Sequence, residues 1–266
     1  MKIVGFEGGF GVLEDDGQVA VLPGDLPDFL VDPRPPADAE RRPLGDLRLT
    51  APVARPGKII CIGLNYRDHA AETGKPVPAE PILFPKFANS LVGDGATVAV
   101  PAIVEELDWE AELAVVIGRG GRDIAREDAL SHVAGYCCAN DLSARALQRQ
   151  GGQWTRGKAI DGFLPMGPWL VTRDEVADPQ DLAISCAVNG RTVQDSSTAQ
   201  MVFGVAELIA EISLTMTLEP GDVICTGTPP GVGMAMDPPQ FLGEGDEVVV
   251  TIEGLGSLHT TIGPRG

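Results

Sequence analysis

The stretch Glu110–Ile117 reads EAELAVVI, two glutamates followed by an apolar run that ends in Val-Val-Ile. A short apolar run rich in β-branched residues predicts a buried strand over residues 109–117. Side chains two residues apart on a strand point to the same face, so Glu110 and Glu112 would present their carboxylates together. Burying both carboxylates is costly unless a cation lies between them. The alternative is a solvated strand face that carries two ordinary glutamates.

Strand patterns recur on both sides of this stretch. The other predicted strands are 2–6, 11–14, 19–22, 58–62, 91–100, 134–139, 182–188, 223–226 and 247–253. The longest helical pattern covers residues 199–215, where apolar residues recur three and four apart. Because strands outnumber helices and do not alternate regularly with them, we predict a β-rich α+β fold.

A linker pattern lies near the start of the chain. Residues 32–43 are rich in Pro and in charged side chains, which is typical of a connecting segment. We therefore expect a small β-rich N-terminal domain at residues 1–50 and a larger domain at residues 51–266.

A third carboxylate, Asp141, follows the predicted strand at residues 134–139. Three carboxylates that leave positions open for water suit Mg²⁺ or Mn²⁺, with Ca²⁺ as a further candidate. Zn²⁺ is a poorer match because it prefers His and Cys ligands. Glu110, Glu112 and Asp141 are therefore candidate metal ligands.

A second group of polar side chains lies in residues 63–74, which predict one short helix that ends at Gly74. His69 and Glu72 are three residues apart and would lie on one face of this helix. A carboxylate beside an imidazole fixes its tautomer and raises its basicity, as a general base requires. The alternative is an exposed ion pair on a helix surface.

Two loops carry further polar groups. Residues 151–158 place Lys158 in a glycine-flanked loop, from which its ammonium could reach a developing oxyanion. In residues 226–233, the Thr228 hydroxyl and neighbouring backbone N–H groups could bind a carboxylate. The alternative for each loop is an ordinary structural turn.

The charge balance excludes whole classes of function. The chain has 38 acidic and 20 basic residues and a net charge of −18. Binding to nucleic acid or to an anionic membrane surface needs an excess of Lys and Arg, so we expect neither. Residues 119–158 differ, with seven basic and four acidic side chains, which favours an anionic ligand there.

The cysteines and the first residues bear on location. Five cysteines without a C-x-x-C motif argue against disulfide staples. No apolar run approaches the roughly 18 residues of a membrane span. Acidic side chains within the first sixteen residues disagree with a secretory signal. We expect a cytoplasmic protein.

Taken in order, these motifs resemble the fumarylacetoacetate hydrolase family over roughly residues 52–262. The matching segments are Pro56–Tyr66 (PGKIICIGLNY), Glu110–Glu112 (EAE), Asn140–Gln148 (NDLSARALQ), Gln153–Lys158 (QWTRGK), Met166–Trp169 (MGPW) and Thr226–Met234 (TGTPPGVGM). The resemblance is closest to a bacterial branch that includes hydrolases of diketo-deoxy sugar acids. It implies a β-roll-like catalytic domain, a divalent metal, usually Mg²⁺ or Mn²⁺, and a homodimer.

The resemblance also implies a role for each candidate residue. The implied metal ligands are Glu110, Glu112 and Asp141. The implied catalytic residues are His69, Glu72 and Lys158. The implied substrate contacts are Arg145, Gln148 and Thr228.

The implied reaction is metal-dependent hydrolysis of a C–C bond in a small anionic 2,4-dioxo acid, such as an acylpyruvate. His69 would take a proton from the attacking water. Decarboxylation of oxaloacetate and isomerisation of 2-hydroxyhepta-2,4-diene-1,7-dioate are alternatives, because they use the same metal–enolate chemistry. A non-catalytic binding protein is a further alternative, disfavoured because every implied catalytic position is present.

Overall fold

The computed structural model describes residues 1–31 and 33–266, and strands dominate them. The strands are β1 (Lys2–Phe6), β2 (Gly9–Leu13), β3 (Gln18–Leu22), β4 (Arg41–Pro43), β5 (Leu49–Thr50), β6 (Ile59–Gly63), β7 (Ile82–Lys86), β8 (Leu91–Val92), β9 (Ala96–Val100), β10 (Leu107–Asp108), β11 (Ala111–Ile117), β12 (Val133–Asn140), β13 (Ser143–Ala144), β14 (Leu164–Thr172), β15 (Ala183–Val188), β16 (Arg191–Ser197), β17 (Val223–Cys225), β18 (Glu247–Ile252) and β19 (Gly256–Arg265). The α-helices are α1 (Leu26–Val31), α2 (Arg67–Glu72), α3 (Arg145–Gln148), α4 (Thr155–Lys158) and α5 (Val205–Thr215). The predicted β-rich α+β class is confirmed. None of the helices in these residues has the length and apolar character to cross a membrane.

The predicted EAELAVVI strand is β11, and it lies inside the largest sheet. Neighbouring strands of that sheet follow the order β4-β3-β2-β1-β14-β12-β11-β17-β6-β7. All seven residues of β11 are buried. Leu113 and Val115 pack into one apolar core, while Ala114 and Val116 pack into another. A strand covered on both faces needs apolar residues at every position, which explains the continuous run.

A second sheet covers one face of the first. Its strand order is β16-β15-β18-β19-β9. Ile184, Val250 and Leu258 from this sheet share one core with Leu113 of β11. Helix α5 adds its buried face to the same core.

The N-terminal strands extend the largest sheet. β1 pairs antiparallel with β14, with Lys2 opposite Val171, and β5 pairs with β1. β14 escaped the sequence analysis because Pro165, Gly167 and Pro168 interrupt its strand pattern. The division of the chain at residue 50 stays a prediction.

The structure corrects two predicted elements. The strand expected over residues 91–100 is two strands, because a turn at Gly95, with φ of +74°, separates β8 from β9. β8 pairs with β14, whereas β9 pairs with β19 in the second sheet. The helix expected over residues 199–215 begins only at Val205, because Gly204 holds an extended conformation before it.

The two faces of α5 offer a matched test of the core. Leu208 is fully buried, whereas Leu214 on the same helix is 52% exposed. We expect L208A to lower the free energy of unfolding by about 2–5 kcal/mol, because it leaves a cavity in the core. L214A should change it by less than about 0.5 kcal/mol. Urea denaturation of both variants measures the difference, and equal losses would contradict this packing.

Candidate metal and proton-transfer site

Three carboxylates converge where β11 begins and β12 ends. Glu110 is 7% exposed, Glu112 is 1% exposed and Asp141 is fully buried. Each offers an oxygen within 4.8 Å of the others. Antiparallel pairing of β11 with β12 brings them together, and the Asp141 N–H donates to the Glu110 carbonyl at 2.9 Å. The structure thus juxtaposes the three predicted ligands.

Buried cations surround this carboxylate cluster. The Lys158 Nζ lies 2.7 Å from both Glu110 Oε2 and Asp141 Oδ2. Arg145 donates to Glu110 Oε1 at 2.7 Å. The sequence analysis predicted Lys158 and Arg145 as catalytic and substrate-binding groups, and their shared contact in the structure is Glu110.

Lys86 is a third cation, which the sequence analysis missed. Its side chain is fully buried, and Nζ lies 2.8 Å from Asp141 Oδ1. The same ammonium donates to the backbone carbonyls of Phe163, Leu142 and Lys158. A signal was available in the sequence, since on a strand Lys86 shares the inward face with Phe84.

Asp108 is a further buried carboxylate that the sequence analysis missed. Arg145 Nε donates to Asp108 Oδ2 at 2.8 Å, and Nη2 lies 2.8 Å from the same oxygen. Asp108 also accepts the backbone N–H groups of Gly233 and Met234. The Arg145 guanidinium therefore bridges the carboxylates of Asp108 and Glu110.

These contacts set the protonation of the site. Burial alone would raise the pKa of Glu110, but the Lys158 and Arg145 charges lower it to about 2. Burial and the Asp141 charge raise the pKa of Glu112 well above its usual range. Burial opposes charge on Lys158, yet Asp141 and Glu110 raise the pKa of its ammonium. Lys158 therefore remains an ammonium that donates hydrogen bonds.

The donor set fits a divalent cation. Within the described residues, the three clustered carboxylates and Asp108 face three buried cations, so one carboxylate is left without a cationic partner. Glu112 is the member without a cationic partner, and its Oε2 accepts only a backbone N–H, that of Gly227, at 2.9 Å. Hard divalent ions take carboxylate oxygens of this kind as ligands.

His69 and Glu72 form the predicted pair on α2. His69 Nδ1 lies 2.9 Å from Glu72 Oε2, and the two side chains are 12% and 22% exposed. With Nδ1–H donated to the carboxylate, Nε2 is the proton acceptor. The helix is anchored because Ser196 donates to Asp68 at 2.6 Å. Low side-chain exposure and an anchored helix distinguish the His69–Glu72 pair from an ion pair on a free surface.

The loop at residues 226–234 connects the two groups. Its Gly227 N–H holds Glu112, and its Gly231 N–H donates to Glu72 Oε1 at 2.8 Å. Buried Gln194, which the sequence analysis also missed, donates to Thr228 Oγ1 at 2.8 Å. A single loop thus orients one side chain of the carboxylate cluster and one of the histidine pair.

A cavity of about 230 Å³ joins these parts. Seven predicted site residues line it: His69, Glu110, Glu112, Arg145, Gln148, Lys158 and Thr228. Glu72 and Asp141 do not line it and contact His69 and Lys158 instead. Larger grooves of about 790 and 600 Å³ flank residues 47–55 and contain none of the predicted site residues.

Comparisons with known proteins agree with this geometry. Residues 58–263 match a family model described as fumarylacetoacetate (FAA) hydrolase C-terminal. Oxaloacetate tautomerase FAHD2A, mitochondrial, from Bos taurus is 48% identical over 261 residues, which cover 94% of this chain and 83% of that protein.

Solved structures give the same result for the fold. Fumarylacetoacetate hydrolase from Exiguobacterium antarcticum is 39% identical, with a TM-score of 0.87 and full coverage of both chains. A 2-hydroxyhepta-2,4-diene-1,7-dioate isomerase from Mycobacterium marinum is 35% identical, with a TM-score of 0.83, and the match covers 100% of this chain and 98% of that one. Since the family model spans most of the chain and each relative exceeds 30% identity, the chain belongs to the fumarylacetoacetate hydrolase family.

Proposed function

We propose that this chain is a metal-dependent enzyme that moves a proton on a small 2-oxo acid, with keto–enol tautomerisation of oxaloacetate as its reaction. The observation that carries the proposal is the His69–Glu72 pair, whose imidazole shares a small cavity with the carboxylate cluster. The Bos taurus relative named an oxaloacetate tautomerase supports this choice over the hydrolysis that the sequence suggested.

Glu110, Glu112 and Asp141 would hold the metal, Mg²⁺ or Mn²⁺. When bound, a divalent ion acts as a Lewis acid that favours the enolate form of a 2-oxo acid. Glu112, which has no cationic partner among the described residues, supports this assignment, because a divalent ion would compensate its charge.

The protein supplies the proton transfer. His69 Nε2 would take the proton from C3 of the keto form, and the enol oxygen would gain a proton from solvent; in the reverse direction both protons move back. Glu72 would stabilise the imidazolium that forms, because its Oε2 accepts from Nδ1. Lys158 would donate to the enolate oxygen, since its neighbours keep it an ammonium.

The proposed substrate contacts are hydrogen-bond donors that line the cavity and are not already held by another side chain. Gln194 donates to Thr228 Oγ1, so the Thr228 hydroxyl hydrogen is available for a substrate carboxylate. Gln148 lines the cavity beside it. We assign Arg145 the task of holding Glu110, because its guanidinium forms ion pairs with Asp108 and Glu110.

Hydrolysis of a 2,4-dioxo acid is the second candidate. The similarity to the Exiguobacterium antarcticum fumarylacetoacetate hydrolase favours it. His69 would then take a proton from water rather than from C3, and the C3–C4 bond would break. Decarboxylation of oxaloacetate needs no base to remove a proton from C3 or from water.

A homodimer and a cytoplasmic location stay predictions. β7 is an edge strand, and Ile82, Leu83 and the following Phe87 are 42%, 40% and 51% exposed. An apolar edge of this kind supports burial against a second copy.

All five cysteines are free, in keeping with a reducing compartment.

Product analysis separates the candidate reactions. We expect the Mg²⁺-loaded protein to convert enol-oxaloacetate to its keto form with a kcat/KM at least about tenfold above that for pyruvate release from acetopyruvate. Ultraviolet absorbance follows the enol, and a coupled lactate dehydrogenase assay detects pyruvate. Dominant pyruvate release from acetopyruvate would establish hydrolysis instead, and pyruvate from oxaloacetate would establish decarboxylation.

The metal site is tested through Asp141. We expect D141N to weaken Mn²⁺ binding by at least about tenfold, because it removes one of three anionic ligands and leaves Lys86 and Lys158 facing a neutral amide. Calorimetric titration of Mn²⁺ measures the loss. E207Q is the matched control, because Glu207 pairs with Arg126 on the surface, and it should bind Mn²⁺ like the parent protein. Unchanged binding in D141N would refute the assignment.

The proton acceptor is tested through His69. Loss of a positioned general base typically costs about 10²- to 10⁴-fold in rate. We expect H69A to lower kcat for tautomerisation by that amount and to bind Mn²⁺ normally. Stopped-flow absorbance gives the rate and calorimetry the binding. An H69A variant with full activity would assign the proton transfer to another group.

A further inference from the structure

The basic side chains around the cavity differ in whether a carboxylate already pairs with them. Four basic side chains line it: Lys75, Arg145, Arg149 and Lys158. Arg145 and Lys158 are held by the buried carboxylate cluster. Arg149 Nη2 lies 2.6 Å from Glu106 Oε2 at the rim. Lys75 is exposed, and among the described residues no carboxylate forms an ion pair with it.

The backbone fixes Lys75 to the helix that carries the proton acceptor. Gly74, with φ of +62°, follows the end of α2, and its N–H donates to the Ala71 carbonyl. The Lys75 N–H donates to the Ala70 carbonyl at 3.1 Å. This pair of bonds is the Schellman motif, which needs a residue that tolerates positive φ, as Gly74 does. These bonds therefore hold the backbone of Lys75 against the last turn of the helix that carries His69.

A dicarboxylic substrate has one anionic group for each end of this cavity. In the proposed function, the metal site and Lys158 would serve the 2-oxo group, and Thr228 the carboxylate next to it. The other carboxylate needs a cation that is not already neutralised. With a net charge of −18, the protein repels anions at long range, so the attraction has to be local.

We infer that Lys75 binds the distal carboxylate of a dicarboxylic 2-oxo acid and thereby selects it over a monocarboxylic acid of the same length. This inference rests on the proposed function and names the specificity group of the same site. Lys75 is a specificity residue that contacts substrate away from the reacting carbons, so its loss should change binding more than proton transfer.

Binding of an unreactive pair of ligands tests Lys75 without turnover. Malate and 2-hydroxybutanoate have the same first three carbons and differ only in the distal carboxylate, which is a methyl group in the latter. We expect K75Q to weaken malate binding to the Mg²⁺-loaded protein by about tenfold, the lower end for a charge-assisted hydrogen bond. Its affinity for 2-hydroxybutanoate should change by less than twofold. Calorimetric titration gives both dissociation constants.

Two further variants separate recognition from general effects. K75R keeps the charge and should restore most of the malate affinity. R191Q removes an exposed cation from β16, outside the cavity, and should change neither affinity by more than twofold. Equal weakening of both ligands by K75Q, or no weakening of malate, would overturn the inference.

The outcome for Lys75 is distinct from the outcome for the reaction. If the parent protein does not turn over oxaloacetate yet K75Q weakens malate alone, the proposed reaction fails and the specificity assignment stands. If the parent protein tautomerises oxaloacetate and K75Q binds malate normally, the reaction stands and Lys75 has no such role.

Discussion

The rest of the site depends on how the protein buries carboxylates at the junction of β11 and β12. An uncompensated charge in a protein interior costs several kcal/mol, so each of these groups needs a cation or a hydrogen-bond donor. Lys86, Arg145 and Lys158 arrive from β7, α3 and α4 and meet that need within 2.8 Å. Glu112 has no cationic partner among the described residues, and this is what makes the cluster suited to a divalent ion.

Charge compensation also separates the chemical roles of the site. Lys158 is held as an ammonium by Glu110 and Asp141, so it cannot serve as the base. The proposed base, His69, is carried by α2 and lines the cavity. A buried carboxylate cluster with a separate proton acceptor can serve several reactions, in keeping with relatives named as tautomerase, isomerase and hydrolase.

Local periodicity was a good guide to the parts of the site that are close in sequence. Glu110, directly before β11, and Glu112 on it place their carboxylates in one cluster, and His69 contacts Glu72 on α2, as their spacings predicted. Prediction failed where a pattern was interrupted or where a partner was distant. Prolines concealed β14, and Gln194 had no local feature that marked it as the partner of Thr228, which lies 34 residues away.

The sequence by itself determined which side chains share a face, because backbone geometry repeats every two residues on a strand and about every 3.6 on a helix. It also determined the functional groups available, three carboxylates and one imidazole–carboxylate pair. Only the tertiary structure decided which charges meet, such as Lys158 with Glu110 across 48 residues and Lys86 with Asp141. The reason is physical: charge compensation acts through space, so it depends on strand order and loop packing, which no short stretch of sequence contains.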